Sequence, residues 1–100
     1  QAAWRMKLRS LLFVPGDRPD RMEKALGSGA DALILDLEDA VAAPAKAGAR
    51  AAVVEFIAKQ SGGPAIFVRI NPLDSHLIDD DLTALAPVIP HGYVLPKSVD

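Results

Sequence analysis

The sequence predicts an α/β fold in which short parallel strands alternate with helices, and three observations predict it. Apolar runs recur at a spacing of about 30 residues, each followed by a stretch of helical periodicity. The runs are continuous instead of alternating, as strands buried on both sides by covering helices should be. Each run also ends in a cluster of polar or turn-forming residues, which places the chemistry at one end of every strand.

Taken in order, the run "RSLLFV" (Arg9 to Val14) is a buried strand closed by Pro15 and Gly16. A helix follows, with Asp17 as its expected cap, Pro19 and Asp20 in the first turn, and Met22, Ala25 and Leu26 at helical spacing until Gly27 and Gly29. The second strand is "DALILD". Pro44 opens a second helix whose expected buried face holds Ala51, Val54, Ile57 and Ala58, and Gly62 and Gly63 end it. The third strand is "PAIFVRI". Asp79 to Asp81 are expected to cap a short third helix with Leu82, Leu85 and Ala86 facing inward, and "GYVLP" is the fourth strand. Short connections of this kind require right-handed crossovers, leaving a doubly wound sheet and a (β/α)₈ barrel. The single glycine of "VPGDRPDR" weighs against the doubly wound nucleotide-binding fold, whose fingerprint needs three.

Composition narrows the partners. Half of the 100 residues are apolar, enough for one modest core, so residues 1–100 read as a single domain or part of one. The 11 basic and 13 acidic residues are mixed along the chain, without the basic patch that nucleic acid or an anionic membrane requires. No apolar run approaches the roughly 20 residues that cross a bilayer, and the start lacks a signal-type apolar core, so a cytoplasmic location is expected. Residues 1–7 read as a disordered or extraneous start, because a plausible initiator, Met6, follows Gln1 to Arg5. With no cysteine, disulfides and thiolate metal sites are excluded. His76 and His91 have no second ligand at metal-binding spacing. Trp4 and Tyr93 read as packing or terminal residues.

The strand ends carry the chemistry: Pro15-Gly16-Asp17-Arg18, Asp36-Leu37-Glu38-Asp39, Arg69-Ile70-Asn71 and Pro96-Lys97-Ser98. Acids, an arginine and a lysine on one rim suit an anionic substrate near a divalent cation, since guanidinium pairs bidentately with carboxylate and hard cations take oxygen ligands. Plainer readings stand beside this one. The three acids also fit a solvated helix start, Arg69 an ion pair with Asp36 or Glu38, and Lys97 an ordinary surface lysine.

"RSLLFVPGDRPDRMEKALGSGADALILDLEDAV", with "VRIN" and "VLPKSV" after it, resembles the N-terminal portion of the citrate lyase beta subunit and malyl-CoA lyase family, from about Leu8 to Val99. The resemblance implies the N-terminal half of a (β/α)₈ TIM barrel, four of its eight units, where a complete barrel has about 250 residues. It implies Mg²⁺-dependent cleavage of a 3-hydroxyacyl thioester to acetyl-CoA, or an acetyl carrier, and a 2-oxo acid such as oxaloacetate or glyoxylate. By that resemblance Arg69 grips the substrate carboxylate, Glu38 and Asp39 line the pocket beside the metal, and Arg18, Arg21 and Lys97 are candidates for contact with CoA. No direct metal ligand is expected within residues 1–100, because the family's carboxylate ligands come from later strands. A homo-oligomer, trimer or hexamer, is implied for the complete barrel. In the half barrel, Leu11, Phe13, Leu33, Leu35, Phe67 and Val94 would line the inner face. A magnesium-dependent pyruvate or oxo-acid aldolase without CoA, and a non-catalytic fragment, are the alternative readings.

Overall fold

A computed structural model describes residues 10–60, 62–72 and 75–95. Four strands, β1 (Leu11–Pro15), β2 (Ala32–Asp36), β3 (Ala65–Arg69) and β4 (Gly92–Val94), alternate with three α-helices, α1 (Pro19–Leu26), α2 (Lys46–Ala58) and α3 (Leu77–Leu85). A single 3₁₀ turn, Ala43–Ala45, leads into α2. All pairings are parallel and the strand order is β1-β2-β3-β4. Sequential order is what a barrel requires, whereas a doubly wound sheet reverses direction at a switch point. The start expected over residues 1–7 and the candidate CoA contact Lys97 lie outside the described residues.

The strand register assigns the two faces. Leu12 and Val14 align with Leu33 and Leu35, and these with Ile66 and Val68. Val14, Leu33, Leu35, Ile66 and Val68 form one apolar cluster with Met22 and Ala25 of α1, Ala49, Val53 and Phe56 of α2, and Ile78 and Leu85 of α3. The helices therefore cover one face alone, the outer face of a barrel wall. The other face carries Leu11, Phe13, Ile34, Asp36, Phe67, Arg69 and Val94. Leu33 and Leu35 thus belong to the helix-covered core, correcting their expected place on the inner face, and Ile34 stands there in their stead. Leu11 and Phe13 remain 54% and 52% exposed on that inner wall.

Three local expectations are also revised. Pro19 occupies the first position of α1 and makes Arg18 the cap residue, so Asp17 caps nothing. The buried face of α2 is Lys46, Ala49, Val53, Phe56 and Ile57, while Ala51 and Ala58 are exposed. Helix α3 starts three residues early, with His76 in place of Asp79 at its cap and no capping side chain. Asp79 and Asp80 occupy its first turn, Ile78, Asp81 and Leu85 face inward, and Leu82 and Ala86 face out. Tyr93 is an exposed strand residue, and the His91 ring accepts a hydrogen bond from the Ile66 N–H at Nδ1 (2.9 Å), which extends the pairing of β3 toward β4.

Candidate functional site at the C-terminal rim

The C-terminal ends of β1, β2 and β3 meet because the turn after β1 is pressed against the end of β2. Gly16 donates its N–H to the Asp36 carbonyl at 2.8 Å. A Cβ at Gly16 would lie 2.7 Å from that same oxygen, so the contact admits only glycine.

Asp36 and Arg69 are register partners at the last pair of β2 and β3, so both side chains emerge on the inner face side by side. Arg69 donates from Nε to Asp36 Oδ1 at 2.9 Å and from Nη2 to Oδ2 at 2.7 Å, a two-bond fork. The N–H groups of Glu38 and Ala40 donate to the same two oxygens at 2.9 and 3.0 Å. Burial pushes the Asp36 carboxyl upward, but the Arg69 fork and the two backbone donors outweigh it and hold it below the usual aspartate range. The hydrogen bond to Asp36 in turn raises Arg69, against burial and with help from Glu38 and Asp39. Asp36 is 2% exposed and its oxygens are fully engaged, which makes it an anchor and removes it as a metal ligand or base.

Arg69 is not exhausted by this anchor. Guanidinium carries five N–H donors, and Asp36 takes only the Nε/Nη2 edge. Nη1, at the far end, has no acceptor among the described residues and is not buried. Glu38 approaches from the rim, its Oε1 3.7 Å from Arg69 Nε. The guanidinium carbon lies 5.2 Å from the centroid of the Phe13 ring, a cation–π contact that fixes its third side. A cleft of about 370 Å³ opens above this group, lined by Phe13, Arg21, Asp36, Asp39 and Arg69 among others. The structure thus brings Glu38, Asp39 and Arg69 together, with Arg21 across from them.

Arg18 lies one cleft away. It pairs with Asp20 (Nε–Oδ1 3.3 Å, Nη2–Oδ2 3.2 Å) in solvent, which raises the arginine and lowers the aspartate. A second hollow, about 510 Å³, is lined by Phe13 at one side and by Arg18, Arg21 and Lys24 at the other. Lys24 escaped the sequence reading, although the spacing 18, 21, 24 places all three cations along one side of α1. Lys97 lies outside the described residues.

Beneath the rim is a buried polar cluster that sequence reasoning also missed. Lys46 Nζ donates to the carbonyls of Leu37 (2.8 Å) and Glu38 (2.9 Å) and to Asn71 Oδ1 (2.9 Å). Asn71 donates from N and Nδ2 to Asp81 Oδ2 at 2.8 and 2.7 Å, and Arg50 Nε donates to Asp81 Oδ1 at 2.7 Å. Among the described residues no three His, Asp or Glu side chains converge as metal ligands. The rim sets the Arg69 guanidinium against the carboxylates of Asp36, Glu38 and Asp39, a charge pattern that suits a carboxylate ligand. Among the described residues no helix is long and apolar enough to cross a membrane.

Residues 9–100 match the family model described as HpcH/HpaI aldolase/citrate lyase. The chain is 44% identical over 95 residues to a citrate lyase subunit beta-like protein of Deinococcus radiodurans, covering 90% of this chain and 33% of that protein. Among solved structures, the citrate lyase beta subunit of Mycobacterium tuberculosis in complex with oxaloacetate and magnesium superposes with a TM-score of 0.77 at 37% identity, over 92% of this chain and 41% of that one. CitE of the same organism in complex with magnesium, acetoacetate and coenzyme A superposes with a TM-score of 0.72 at 39% identity, over 88% and 32%. The chain spans about a third of the length of the curated relatives it matches.

Proposed function

The chain belongs to the HpcH/HpaI aldolase/citrate lyase family, and on that premise we propose that it forms the oxo-acid-binding wall of a magnesium-dependent carbon–carbon lyase acting on a citryl- or malyl-type 3-hydroxyacyl thioester. The observation that carries this reading is Arg69: Asp36 holds its Nε/Nη2 edge, Nη1 has no acceptor among the described residues, and the side chain lines a rim cleft. A planar fork fixed on a strand end is the arrangement that grips a carboxylate in one orientation.

In the cleavage direction, the C3 hydroxyl of the substrate loses its proton and the C2–C3 bond breaks. The electron pair passes into the thioester as an enolate, which takes up a proton to give acetyl-CoA, and C3 becomes the carbonyl carbon of the released 2-oxo acid. Arg69 binds the carboxylate next to that carbon, so the bond that breaks is held at a fixed distance from the strand end. Asp39 lines the cleft and Glu38 stands 3.7 Å from Arg69 Nε, and on this reading both present negative charge toward the side where a cation would sit. Arg18, Arg21 and Lys24 provide the positive face for the phosphates of CoA. On this reading the magnesium ligands would come from segments that the longer relatives contain, each about three times the length of this chain.

The test is turnover of the complete enzyme with malyl-CoA, citramalyl-CoA and citryl-CoA, followed by release of the oxo acid. Magnesium-dependent cleavage of one of these thioesters is the expected result. Cleavage of free hydroxy-oxo acids with no thioester requirement would replace the reading with that of a CoA-independent oxo-acid aldolase, which the same Arg69 grip would serve.

A further inference from the structure

We propose that Lys46 is a positioning residue for the oxo-acid site: a buried ammonium that locks the loop carrying Glu38 to the segment following Arg69. The inference rests on the reading of that rim as an oxo-acid site and adds a residue to it.

The geometry is specific to lysine. Three acceptors converge on one nitrogen at 2.8, 2.9 and 2.9 Å, and only an ammonium supplies three donors from a single atom. With all three committed, Lys46 presents no donor to a ligand, and at 9% exposure it is sealed from the cleft. Its effect on a substrate must pass through what it holds. Two of its partners are the peptide carbonyls of Leu37 and Glu38, at the point where the chain leaves β2 and delivers Glu38 to the rim. Its third partner, Asn71, lies two residues beyond Arg69.

The loops are tied twice. The Leu37 N–H donates to the Arg69 carbonyl at 2.9 Å, and Lys46 bridges Leu37 and Glu38 to Asn71. Asn71 is itself fixed by both of its donors on Asp81, and Asp81 by Arg50, which stands one turn beyond Lys46 on α2. Helix α2 thus grips both strand ends through two cations. The connected cluster holds three cations (Lys46, Arg50, Arg69) and three anions (Asp36, Glu38, Asp81), so it is balanced before a ligand arrives. Buried ion clusters add little to stability when apolar packing could replace them. A cluster aimed at the two strand ends that carry Glu38 and Arg69 instead sets their separation, which a carboxylate-binding fork requires to within a fraction of an ångström.

The test uses the complete enzyme with Lys46→Met. Calorimetric titration with oxaloacetate should show affinity weaker by about tenfold or more, as a displaced binding group gives, while the affinity for acetyl-CoA, which carries no oxo-acid carboxylate, changes less than about twofold, since that contact belongs to α1 and not to the tied loops. Combined with Arg69→Lys, Lys46→Met should add little further loss, because both changes act on one grip. A merely structural lysine would weaken both substrates alike and add fully in the double variant, and that result overturns the proposal, as does unchanged oxaloacetate affinity. If Lys46→Met does not fold, Lys46→Gln, which retains two N–H donors, should show the same split at smaller amplitude. If the wild-type enzyme itself binds no oxo acid, the functional reading fails and amide exchange decides the role of Lys46. Faster exchange at Glu38 and Ala40 with β2 unchanged supports the tie, and unchanged exchange refutes it.

Discussion

Arg69 with Asp36 and Arg18 with Asp20 are the same two side chains joined by the same two-bond fork, set in opposite surroundings. The first pair stands at the ends of β2 and β3, its side chains 19% and 2% exposed, at 2.7 Å. The second stands on the first turn of α1, its side chains 47% and 63% exposed, at 3.2 Å. Water competes for the outer pair and salt screens it, so it holds nothing in place. The inner pair is shielded, reinforced by two backbone donors and backed by the Lys46 cluster, so it fixes a direction in space. Identical chemistry positions a group in one place and leaves it free to meet a ligand in the other. Under the proposed function that division would serve the two substrates differently: a small oxo acid needs a rigid grip, and the phosphates of a long, flexible thioester need only positive charge.

The largest expected difference between the two pairs comes from removing the aspartates. Asp36→Ala strips a buried arginine of its partner and two N–H groups of their acceptor, and should cost about 3 kcal/mol or more of stability by denaturant unfolding of the complete enzyme. Asp20→Ala should leave the unfolding midpoint where it is. Equal effects from the two would remove the distinction between the regions. Acid should reach the inner pair in the same way. The folded Asp36 carboxyl sits below its unfolded value of about 3.9, so its contribution is fully present above that pH and is lost as pH falls through the lower folded value. An acid melt at pH 2 to 4 should therefore be shallower in Asp36→Asn than in the wild type.

Smaller effects sharpen the functional side. Arg69→Lys keeps the charge and loses the planar fork, and should weaken oxo-acid binding by about 1.5 to 3 kcal/mol in calorimetry. Glu38→Gln should lower magnesium-dependent turnover by about tenfold with the circular dichroism spectrum unchanged; loss of the fold would make Glu38 a structural acid. The smallest effect is expected at Arg18→Ala, where melting should be unchanged and only the KM for the thioester should rise, more steeply at low salt.

What was legible in the sequence follows from the same physics. The alternation of strands and helices was written in the spacing of apolar runs, and the rim in the polar residues that end them. The faces of β2 were not, because "ALIL" is apolar on both sides and carries no alternation to read. The parity was nonetheless available: counting back by two from Asp36 and Arg69 places Ile34 and Phe67 with them, and Leu33 and Leu35 opposite. Asp81 was hidden in a run of three acids, yet it shares helical phase with Ile78 and Leu85, which sets it apart from Asp79 and Asp80. Lys46 gave no such signal. Its burial depends on carbonyls that converge only when β2, β3 and α2 have packed, and no local pattern encodes that meeting.

Under the proposed function, Asp36 holds one edge of Arg69 so that the other edge receives the oxo-acid carboxylate. A crystal structure of the complete enzyme with oxaloacetate tests it directly. The carboxylate is expected on the Nη1/Nη2 edge of Arg69 at hydrogen-bond distance, with the Nε/Nη2 fork to Asp36 intact. A carboxylate bound away from Arg69, or one that displaces Asp36 from it, would contradict the account.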